Sequence, residues 1–432
     1  MIKAWIRRLV PESAISAYHL WLACAAAVAY GHPSEQLIVV GVTGTNGKSS
    51  TVQYIGRILE HAGFRAGWTT TVGFKVGPHE WVNDKKMTML GRFATQRLLR
   101  EMVRAGCTHA IIETSSQGIL QHRHAGIHYD VAVFTNLTPE HIEAHGGFEK
   151  YKATKGRLFA ELATAKEKVI DGRGVQKASV VNGLDEHAEY FLSFRAGVPF
   201  VFGKNAKDVR ITKDGTVFTL EGVPFSFKPL GRFNYENVLA AITTCRSLGM
   251  PLGEIAEAVA ALEPVPGRLE VMDVGQSFAV VVDYAYEPAS LAAVYEAIKL
   301  FGYARLIHVT GSAGGGRDVA RRAIIGQMAA QHDDIVVVTN EDPYDDDPMQ
   351  IINDVADAAA AHGKRDGVDL WRIEDRQEAI NRALSFAQPG DLVLITGKGC
   401  EPVMAVADGR KIPWDDRAAV RQALGERQSD RV

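Results

Sequence analysis

The chain has 432 residues and a formal net charge of −3, from 48 lysines and arginines against 51 aspartates and glutamates. That length predicts two or three domains, each able to bury a core. The near-even charge excludes the basic footprint of a nucleic-acid-binding protein.

Residues 1–36 read as a short N-terminal helical extension. Lys3, Arg7 and Arg8 precede an apolar segment from Ala14 to Tyr30, an arrangement that imitates a signal peptide or anchor. Pro11, Glu12 and His19 interrupt it, and the uninterrupted stretch is too short to span a bilayer. A helix packed on the first domain, without membrane insertion, is therefore expected. Cys24, Cys107, Cys245 and Cys400 stand far apart with no metal-ligand spacing and read as reduced thiols of a cytoplasmic protein.

The apolar run Gln36–Val40 leads into Gly41-Val-Thr-Gly-Thr-Asn-Gly-Lys-Ser-Ser50, and a helical pattern follows with Val52, Ile55, Ile58 and Leu59 on one face. A buried strand, a glycine-rich turn and a helix N-terminus together cradle phosphate. Backbone N–H groups point inward, the helix dipole favours negative charge, Lys48 supplies a point charge and the Ser49 hydroxyl suits Mg²⁺. The strict pattern wants glycine where this chain has Val42, so Gly44 and Gly47 carry the turn. An ordinary strand-to-helix turn would explain those glycines but not Lys48-Ser49 in that register. ATP and Mg²⁺ are the expected ligands, held by Gly44, Thr45, Asn46, Gly47, Lys48 and Ser49.

From Leu37 to about Leu262, apolar runs alternate with helical periods. Strands are expected at Leu37–Val42, His109–Glu113 and Val131–Thr135, with helices around Ser49–His61 and Ala94–Ala105. The pattern predicts an α/β fold, a P-loop ATPase domain with a parallel sheet over residues 37–264. Lys168–Asn182 and Phe200–Phe227 look like antiparallel hairpins, and Gly231–Leu248 like a helix. Glu263-Pro-Val-Pro-Gly267 breaks both helix and strand.

A second, Rossmann-like α/β domain is expected over 265–432. Its strands are placed at Ala279–Tyr284, Arg305–Thr310, Asp334–Thr339, Val368–Ile373 and Leu392–Thr396, with helices at Val319–Gln331, Met349–His362 and Gln377–Ala387. Polar loops close three of these strands, at Gly311–Asp318, Asn340–Tyr344 and Gly397–Glu401. Ligands of open parallel sheets bind outside the carboxyl ends of the strands, so a second substrate site is expected there. The glycines at 311 and 314–316 do not fit a dinucleotide fingerprint.

Glu113 ends its strand where an acidic residue holds Mg²⁺ beside nucleotide phosphates, or caps a helix. The segment Phe134–Gly146 gathers Glu140, His141, Glu143 and His145 without zinc spacing. The residues alone leave a metal site and a polar surface loop both open.

The order of motifs carries more. Val42-Thr-Gly-Thr-Asn-Gly-Lys-Ser49, Glu113-Thr-Ser-Ser116, Phe134-Thr-Asn-Leu-Thr138 with His141, and Tyr151-Lys-Ala-Thr-Lys-Gly-Arg-Leu-Phe159 come first. Gly231-Arg-Phe-Asn-Tyr-Glu-Asn237, Pro266-Gly-Arg268, Val282-Asp-Tyr-Ala285, Gly397-Lys-Gly399 and Ile412-Pro-Trp-Asp-Asp-Arg417 continue the series. Over about residues 37 to 420 the chain resembles the Mur ligase family, and most of all its branch that adds the third peptide residue of the cell-wall precursor.

The resemblance implies an ATP-dependent acid–amino-acid ligase, working through an acyl phosphate and releasing ADP and phosphate. It implies that Lys48 holds phosphates, that Ser49 and Glu113 serve one Mg²⁺, and that His141 and a carbamylated Lys155 are further metal ligands. Asn237 matches the adenine contact, Asp283 the ribose contact and Arg268 a phosphate contact. Thr88, Ser115, Gln121 and Arg123 match contacts to a UDP-N-acetylmuramoyl-L-alanyl-D-glutamate type of acceptor. Arg317 matches the arginine that binds a carboxylate of the incoming amino acid, and Gly397 and Glu401 match its amine-side contacts.

The chain also departs from the family. Relatives carry an N-terminal domain for the uridine diphosphate end of the substrate. Residues 1–36 are too few for one, so a partner or a reshaped surface is expected to supply UDP recognition. Lys86-Met-Thr88 stands for Asn-Thr-Thr, Tyr286 and Cys400 stand for histidines, and Glu341-Asp-Pro-Tyr344 stands for the Asp-Asn-Pro-Arg of diaminopimelate-adding members. Losing that arginine removes the charge-assisted partner of a distal carboxylate, and Asp342 suits a distal ammonium. L-Lysine is therefore expected over meso-diaminopimelate. Two other readings are a ligase for a folylpolyglutamate-type or polymer-forming acceptor, and a non-catalytic nucleotide-binding partner. The motifs at Glu113 and Gly397 favour the muramyl branch over the first. Lys48, Glu113, His141 and Lys155 together speak against the second.

Overall fold

The computed structural model describes residues 11–85, 87–139, 145–316 and 319–429. The chain divides into two compact units. The first runs to Arg210 and takes in Val217–Phe227 and Asn234–Leu262; the second holds Ile211–Thr216, Lys228–Phe233 and the chain from Glu263.

In the first unit the strands are β1 (Ile38–Thr43), β2 (Ala66–Thr69), β3 (Gly73–Val76), β4 (His79–Val82), β5 (His109–Glu113), β6 (Val131–Phe134), the pair β7 (Lys168–Ile170) and β8 (Arg173–Val175), then β9 (Ala178–Asn182) and β10 (Val198–Phe202). The described residues form an eight-stranded sheet in the order β10-β9-β6-β1-β5-β2-β3-β4. From β10 to β2 every pairing is parallel, and β3 and β4 add an antiparallel edge. Every residue of β5, β6 and β9 is buried, as parallel strands covered on both faces must be.

Two expectations need correction. Of Lys168–Asn182, only β7 and β8 pair antiparallel. β9 joins the parallel sheet, because burial of all five of its residues on both faces outweighs the polar Ser179 and Asn182 that imitate alternation. Within Phe200–Phe227 likewise, β10 pairs parallel with β9, while β11 (Ala206–Thr212), β12 (Gly215–Leu220) and β13 (Val223–Phe227) form a separate three-stranded sheet. The β3–β4 hairpin was not foreseen. Its signal is Gly77-Pro78, with Gly77 at φ 56° turning the chain back.

The helices of this unit are α1 (Glu12–Ala29), α2 (Lys48–His61), α3 (Arg92–Arg104), α4 (Ser116–Leu120), α5 (Phe148–Thr164), α6 (Ala188–Leu192), α7 (Arg232–Ser247) and α8 (Leu252–Ala260). The first packs on α3, and among the described residues no helix is long and apolar enough to cross a membrane. On α2 the predicted stripe of Val52, Ile55, Ile58 and Leu59 is fully buried.

The second unit is built on a six-stranded sheet, β14 (Glu270–Val271), β15 (Ala279–Val282), β16 (Leu306–Thr310), β17 (Ile335–Thr339), β18 (Leu370–Ile373) and β19 (Leu392–Ile395). Their order is β14-β15-β19-β16-β17-β18, all parallel except β14. Helices α9 (Pro288–Ile298), α10 (Ala320–His332), α11 (Pro348–Ala361), α12 (Arg376–Phe386) and α13 (Asp416–Ser429) cover it. Alternate strand residues feed opposite cores, as a two-residue period requires. Val281, Leu306, Val336 and Leu394 pack with α9, α10 and α11. Val280, Val282, Ile307 and Val337 pack with α12 and α13.

Candidate functional site

The phosphate-loop motif lies between β1 and α2, and two of its glycines are forced. Gly44 has φ 150°, and a Cβ there would fall 1.9 Å from Thr135 Oγ1; Gly47 has φ 81°, and a Cβ there would fall 2.1 Å from Asn237 Oδ1. The loop is thus wedged between the end of β6 and α7. The Asn136 carbonyl accepts from the Thr45 N–H at 2.8 Å and the Asn136 side chain from the Asn46 N–H at 2.8 Å. Thr135 Oγ1 donates to the Asn46 carbonyl at 2.7 Å, and Thr45 Oγ1 lies 3.1 Å from the Tyr151 hydroxyl. Lys48 Nζ reaches back to the Thr45 carbonyl at 2.6 Å. The glycine cradle, the cation and the helix start suit a polyphosphate.

Parallel register brings the next residues together. β1 lies between β5 and β6, with Val42 opposite Glu113 and Thr43 opposite Phe134. Ser49 Oγ donates to Glu113 Oε2 at 2.6 Å. Glu113 also accepts from the Thr71 N–H at 2.8 Å, and Thr71 Oγ1 sits 3.2 Å from its other oxygen. A hydroxyl and a carboxylate are the hard oxygen donors that Mg²⁺ takes in pairs, leaving its other positions to water and phosphate. Lys155 is 1% exposed. Its Nζ donates to the Gly44 carbonyl at 2.6 Å and lies 4.5 Å above the Tyr151 ring, so it stands behind the phosphate loop. His141, Glu140 and Glu143 lie outside the described residues; His145 is buried, with its ring edge-on to Tyr151.

Thr71 carries the network towards the expected acceptor residues. Its hydroxyl lies 2.9 Å from Thr88 Oγ1. Ser115 caps α4 by accepting from the Gly118 N–H at 3.2 Å. Gln121 and Arg123 hold each other, Gln121 Oε1 accepting from Arg123 Nε and Nη2 at 3.0 and 2.7 Å. Sequence reasoning missed Thr71. Its signal was the threonine run at the carboxyl end of β2, a strand that had not been foreseen.

In the second unit the expected residues cluster at the carboxyl ends of the strands. Asp283 is buried, and its two oxygens accept from the Leu269 and Ala285 N–H groups, each at 2.6 Å. Burial pushes its carboxyl up, against the nearby Arg268 charge. Arg268 stacks on Tyr284 at 4.4 Å. Arg317 lies outside the described residues.

Asp342, expected to meet a substrate ammonium, has an ammonium of the chain itself beside it. The fully buried Lys398 places Nζ 3.0 and 3.1 Å from the two Asp342 oxygens and donates to Glu401 Oε2 and, at 2.9 Å, to the Val403 carbonyl. The Ala405 N–H adds a bond to Asp342 at 2.7 Å. A buried carboxylate needs such a partner to stay charged, a task for Lys398 that the Gly397-Lys-Gly399 motif does not announce. Glu341, also unassigned, is buried with Oε2 lacking a partner among the described residues. Burial pushes its carboxyl up, with Arg321 opposing. Gly397, at φ 107°, makes room for it, since a Cβ there would lie 2.9 Å from Glu341 Oε2. Tyr344 adopts φ 53° and packs over Gly315. Glu401 Oε1 accepts from the Tyr284 hydroxyl at 2.8 Å, and burial raises the Cys400 thiol to about 11, which keeps it protonated near neutrality.

Comparison with known proteins gives the family. Residues 42–245 match the Mur ligase middle domain and residues 267–399 the Mur ligase, glutamate ligase domain. The chain is 38% identical to the UDP-N-acetylmuramyl-tripeptide synthetase of Roseiflexus sp. (strain RS-1), over 98% of this chain and 86% of that one. It is also 38% identical to the UDP-N-acetylmuramoyl-L-alanyl-D-glutamate–2,6-diaminopimelate ligase of Geobacillus thermodenitrificans (strain NG80-2), over 92% and 81%. Among solved structures, a UDP-N-acetylmuramoyl-L-alanyl-D-glutamate–2,6-diaminopimelate ligase aligns with a TM-score of 0.60 at 28% identity, covering 91% of this chain and 79% of that one. Mycobacterium tuberculosis folylpolyglutamate synthase aligns with a TM-score of 0.68 at 19% identity, over 88% and 92%, a likeness of fold alone.

Proposed function

The chain belongs to the Mur ligase family and is therefore an ATP-dependent amide ligase, and we propose that it adds a diamino acid to UDP-N-acetylmuramoyl-L-alanyl-D-glutamate or a related muramyl peptide. The observation that carries this reading is the Ser49–Glu113 contact at 2.6 Å beside the phosphate loop, continued through Thr71 to Thr88. It sets a metal-type oxygen pair next to a residue expected to touch the acceptor. Relatives bear both the tripeptide-synthetase and the diaminopimelate-ligase names, so names alone do not choose the amino acid. Lysine is favoured over diaminopimelate because Tyr344 stands where a second carboxylate would need an arginine.

In this reaction an acceptor carboxylate oxygen attacks the γ-phosphorus and ADP departs, leaving an acyl phosphate. The amine then attacks the acyl carbon, phosphate leaves with the C–O electron pair, and the amine's proton passes to water or a base. The loop N–H groups and Lys48 bind and orient the phosphates, so that much of the rate comes from positioning. Ser49 and Glu113 would hold Mg²⁺, with His141 and a carbamylated Lys155 as the further ligands the resemblance implies, and the metal would neutralise charge that develops on the phosphates. Thr88, Ser115, Gln121 and Arg123 orient the acceptor, and Arg317 and Glu401 the incoming amino acid. A cytoplasmic location follows from the need for ATP.

ADP release measured across a panel of acceptors and amino acids tests the proposal. It should require a muramyl dipeptide acceptor, a diamino acid and Mg²⁺ together. Turnover with a folate-type acceptor and glutamate, and none with the muramyl peptide, would overturn it.

A further inference from the structure

The motif Ile412-Pro-Trp-Asp-Asp-Arg417 has so far no task in either site. Its Asp416 opens α13 and pairs with Arg376, which opens α12, and both side chains are fully buried. Arg376 Nε and Nη2 donate to the two Asp416 oxygens at 2.7 and 2.8 Å, the parallel fork that fixes a guanidinium and a carboxylate in one orientation. A pair that only joined two helices would need no more than this.

The other bonds of the pair leave the helices for the loops at the strand ends. Arg376 Nη1 donates to the Asn340 carbonyl at 3.1 Å, directly before Glu341, and Nη2 to the Thr396 carbonyl at 2.7 Å, directly before Gly397. Asp416 Oδ2 accepts from the Gly399 N–H at 3.1 Å. Its Oδ1 accepts from the Trp414 indole at 2.8 Å, and the Trp414 backbone N–H donates to the Pro402 carbonyl at 3.0 Å. The Gly397–Glu401 loop needs such ties. Gly397 and Gly399 adopt φ 107° and 53°, and glycine backbone is too permissive to hold one shape alone. Lys398 joins this loop to Asp342, and Arg376 with Asp416 anchors both loops to the two helices.

We propose that Arg376 and Asp416, with Trp414, form a positioning clamp that sets the Asn340–Tyr344 and Gly397–Glu401 loops at their working separation without touching substrate. The proposal rests on the reading of these loops as the seat of the incoming amino acid. The fork geometry makes the clamp particular to arginine. A lysine ammonium is a point charge on a flexible stem and cannot hold two carboxylate oxygens and two carbonyls in one plane. Groups that orient a substrate lose their effect when displaced by a fraction of a bond length to about 1 Å, so a loosened clamp acts on amino-acid use before it acts on ATP.

ADP release with amino acid, ATP and acceptor varied in turn tests it. Arg376→Lys and Asp416→Asn should raise KM for the amino acid about tenfold or more and leave KM for ATP and acceptor within about twofold. Asp391→Asn is the control, since Asp391 pairs with Arg305 at the amino ends of β19 and β16, the far edge of the same sheet. It should lower the urea midpoint and leave all three KM values in place. An equal rise in amino-acid KM in Asp391→Asn and Asp416→Asn would make the pair a scaffold and overturn the clamp. Trp414→Phe keeps the ion pair and removes only the indole donor, so it should raise the same KM by a smaller factor. If neither variant of the pair folds, an unchanged KM in Trp414→Phe overturns the proposal. Hydrogen exchange gives a readout apart from activity. In Asp416→Asn, peptides covering 340–346 and 397–406 should exchange faster while those of β15 and β16 do not, and faster exchange across the whole sheet would count against the clamp. If the unmodified protein ligates no muramyl acceptor while these two loops still loosen selectively, the ligase reading falls and the clamp stands.

Discussion

Lys155 puts a positive charge directly behind the loop expected to hold ATP. Its ammonium is buried and bonded to the Gly44 carbonyl, a geometry that repels a metal ion as it stands. Reaction of the neutral amine with carbon dioxide exchanges that cation for a carboxylate-like anion without changing the backbone. Lys155→Arg keeps the charge and cannot make the carbamate, so it should abolish ligation while leaving the urea midpoint nearly unchanged. Lys155→Ala, which leaves space, should regain some activity with added short carboxylates. Turnover of Lys155→Arg close to that of the unmodified protein would remove the carbamate from the mechanism. At this scale the sequence was legible where a residue type is tied to a chemistry, as at Lys48, Ser49 and Glu113. It was opaque where the task depends on a distant neighbour. Nothing in the chain between Asp342 and Lys398 announces that one neutralises the other, and only folding brings β17 and β19 to the two sides of β16.

The elements of the first unit are tied by a buried charge cluster that no motif advertises. Asp130, fully buried at the entry to β6, accepts from Lys168 at 2.5 Å, Lys177 at 3.0 Å and the Val39 N–H of β1 at 2.8 Å. Lys168 also donates to the Ser34 and Leu37 carbonyls, each at 2.8 Å, and burial pushes its ammonium down. One carboxylate thus serves two ammoniums and fixes β1, β6, β7 and the approach to β9. Removing it strands buried cations, a defect that costs roughly 3–5 kcal/mol when one partner of such a pair is lost. Asp130→Asn should therefore lower unfolding free energy by about that amount in urea with little change in slope. A loss under about 1 kcal/mol would mean that the lysines discharge instead. Strand edges, by contrast, were largely written in apolar runs. His109–Glu113 matches residue for residue because all five side chains are inside. Ala178–Asn182 was misread because its polar residues imitate the alternation of a half-exposed strand. The edge hairpin of β3 and β4 was missed because β4 is exposed throughout and has no apolar face to signal it.

For the molecule as a whole, the sites were legible because strand order places particular loops side by side. In the first sheet β6-β1-β5 aligns the ends of three motif-bearing strands, and in the second β19-β16-β17 aligns the loops starting at Gly397, Gly311 and Asn340. Which amino acid the second set selects was only half legible. The loop Glu341-Asp-Pro-Tyr344 suggested lysine for two reasons, a missing arginine and a waiting Asp342. Lys398 lies against both Asp342 and Glu401, so the missing arginine carries the preference. The Lys398 donors are spent on Asp342, Glu401 and the Val403 carbonyl and are not offered to a substrate carboxylate. Leaving one charge of a buried pair without its partner costs about 2–5 kcal/mol, well over tenfold in discrimination. Lysine should therefore outcompete meso-diaminopimelate at equal concentrations, and Tyr344→Arg alone should move the preference towards diaminopimelate by about tenfold or more. Asp342→Asn should leave the preference in place and instead lower turnover and stability, because it takes from Lys398 one of its two carboxylates. A competition assay of all three proteins separates these effects. If the unmodified protein prefers diaminopimelate by about tenfold, an arginine outside this loop supplies the missing charge and Tyr344 is not the selector.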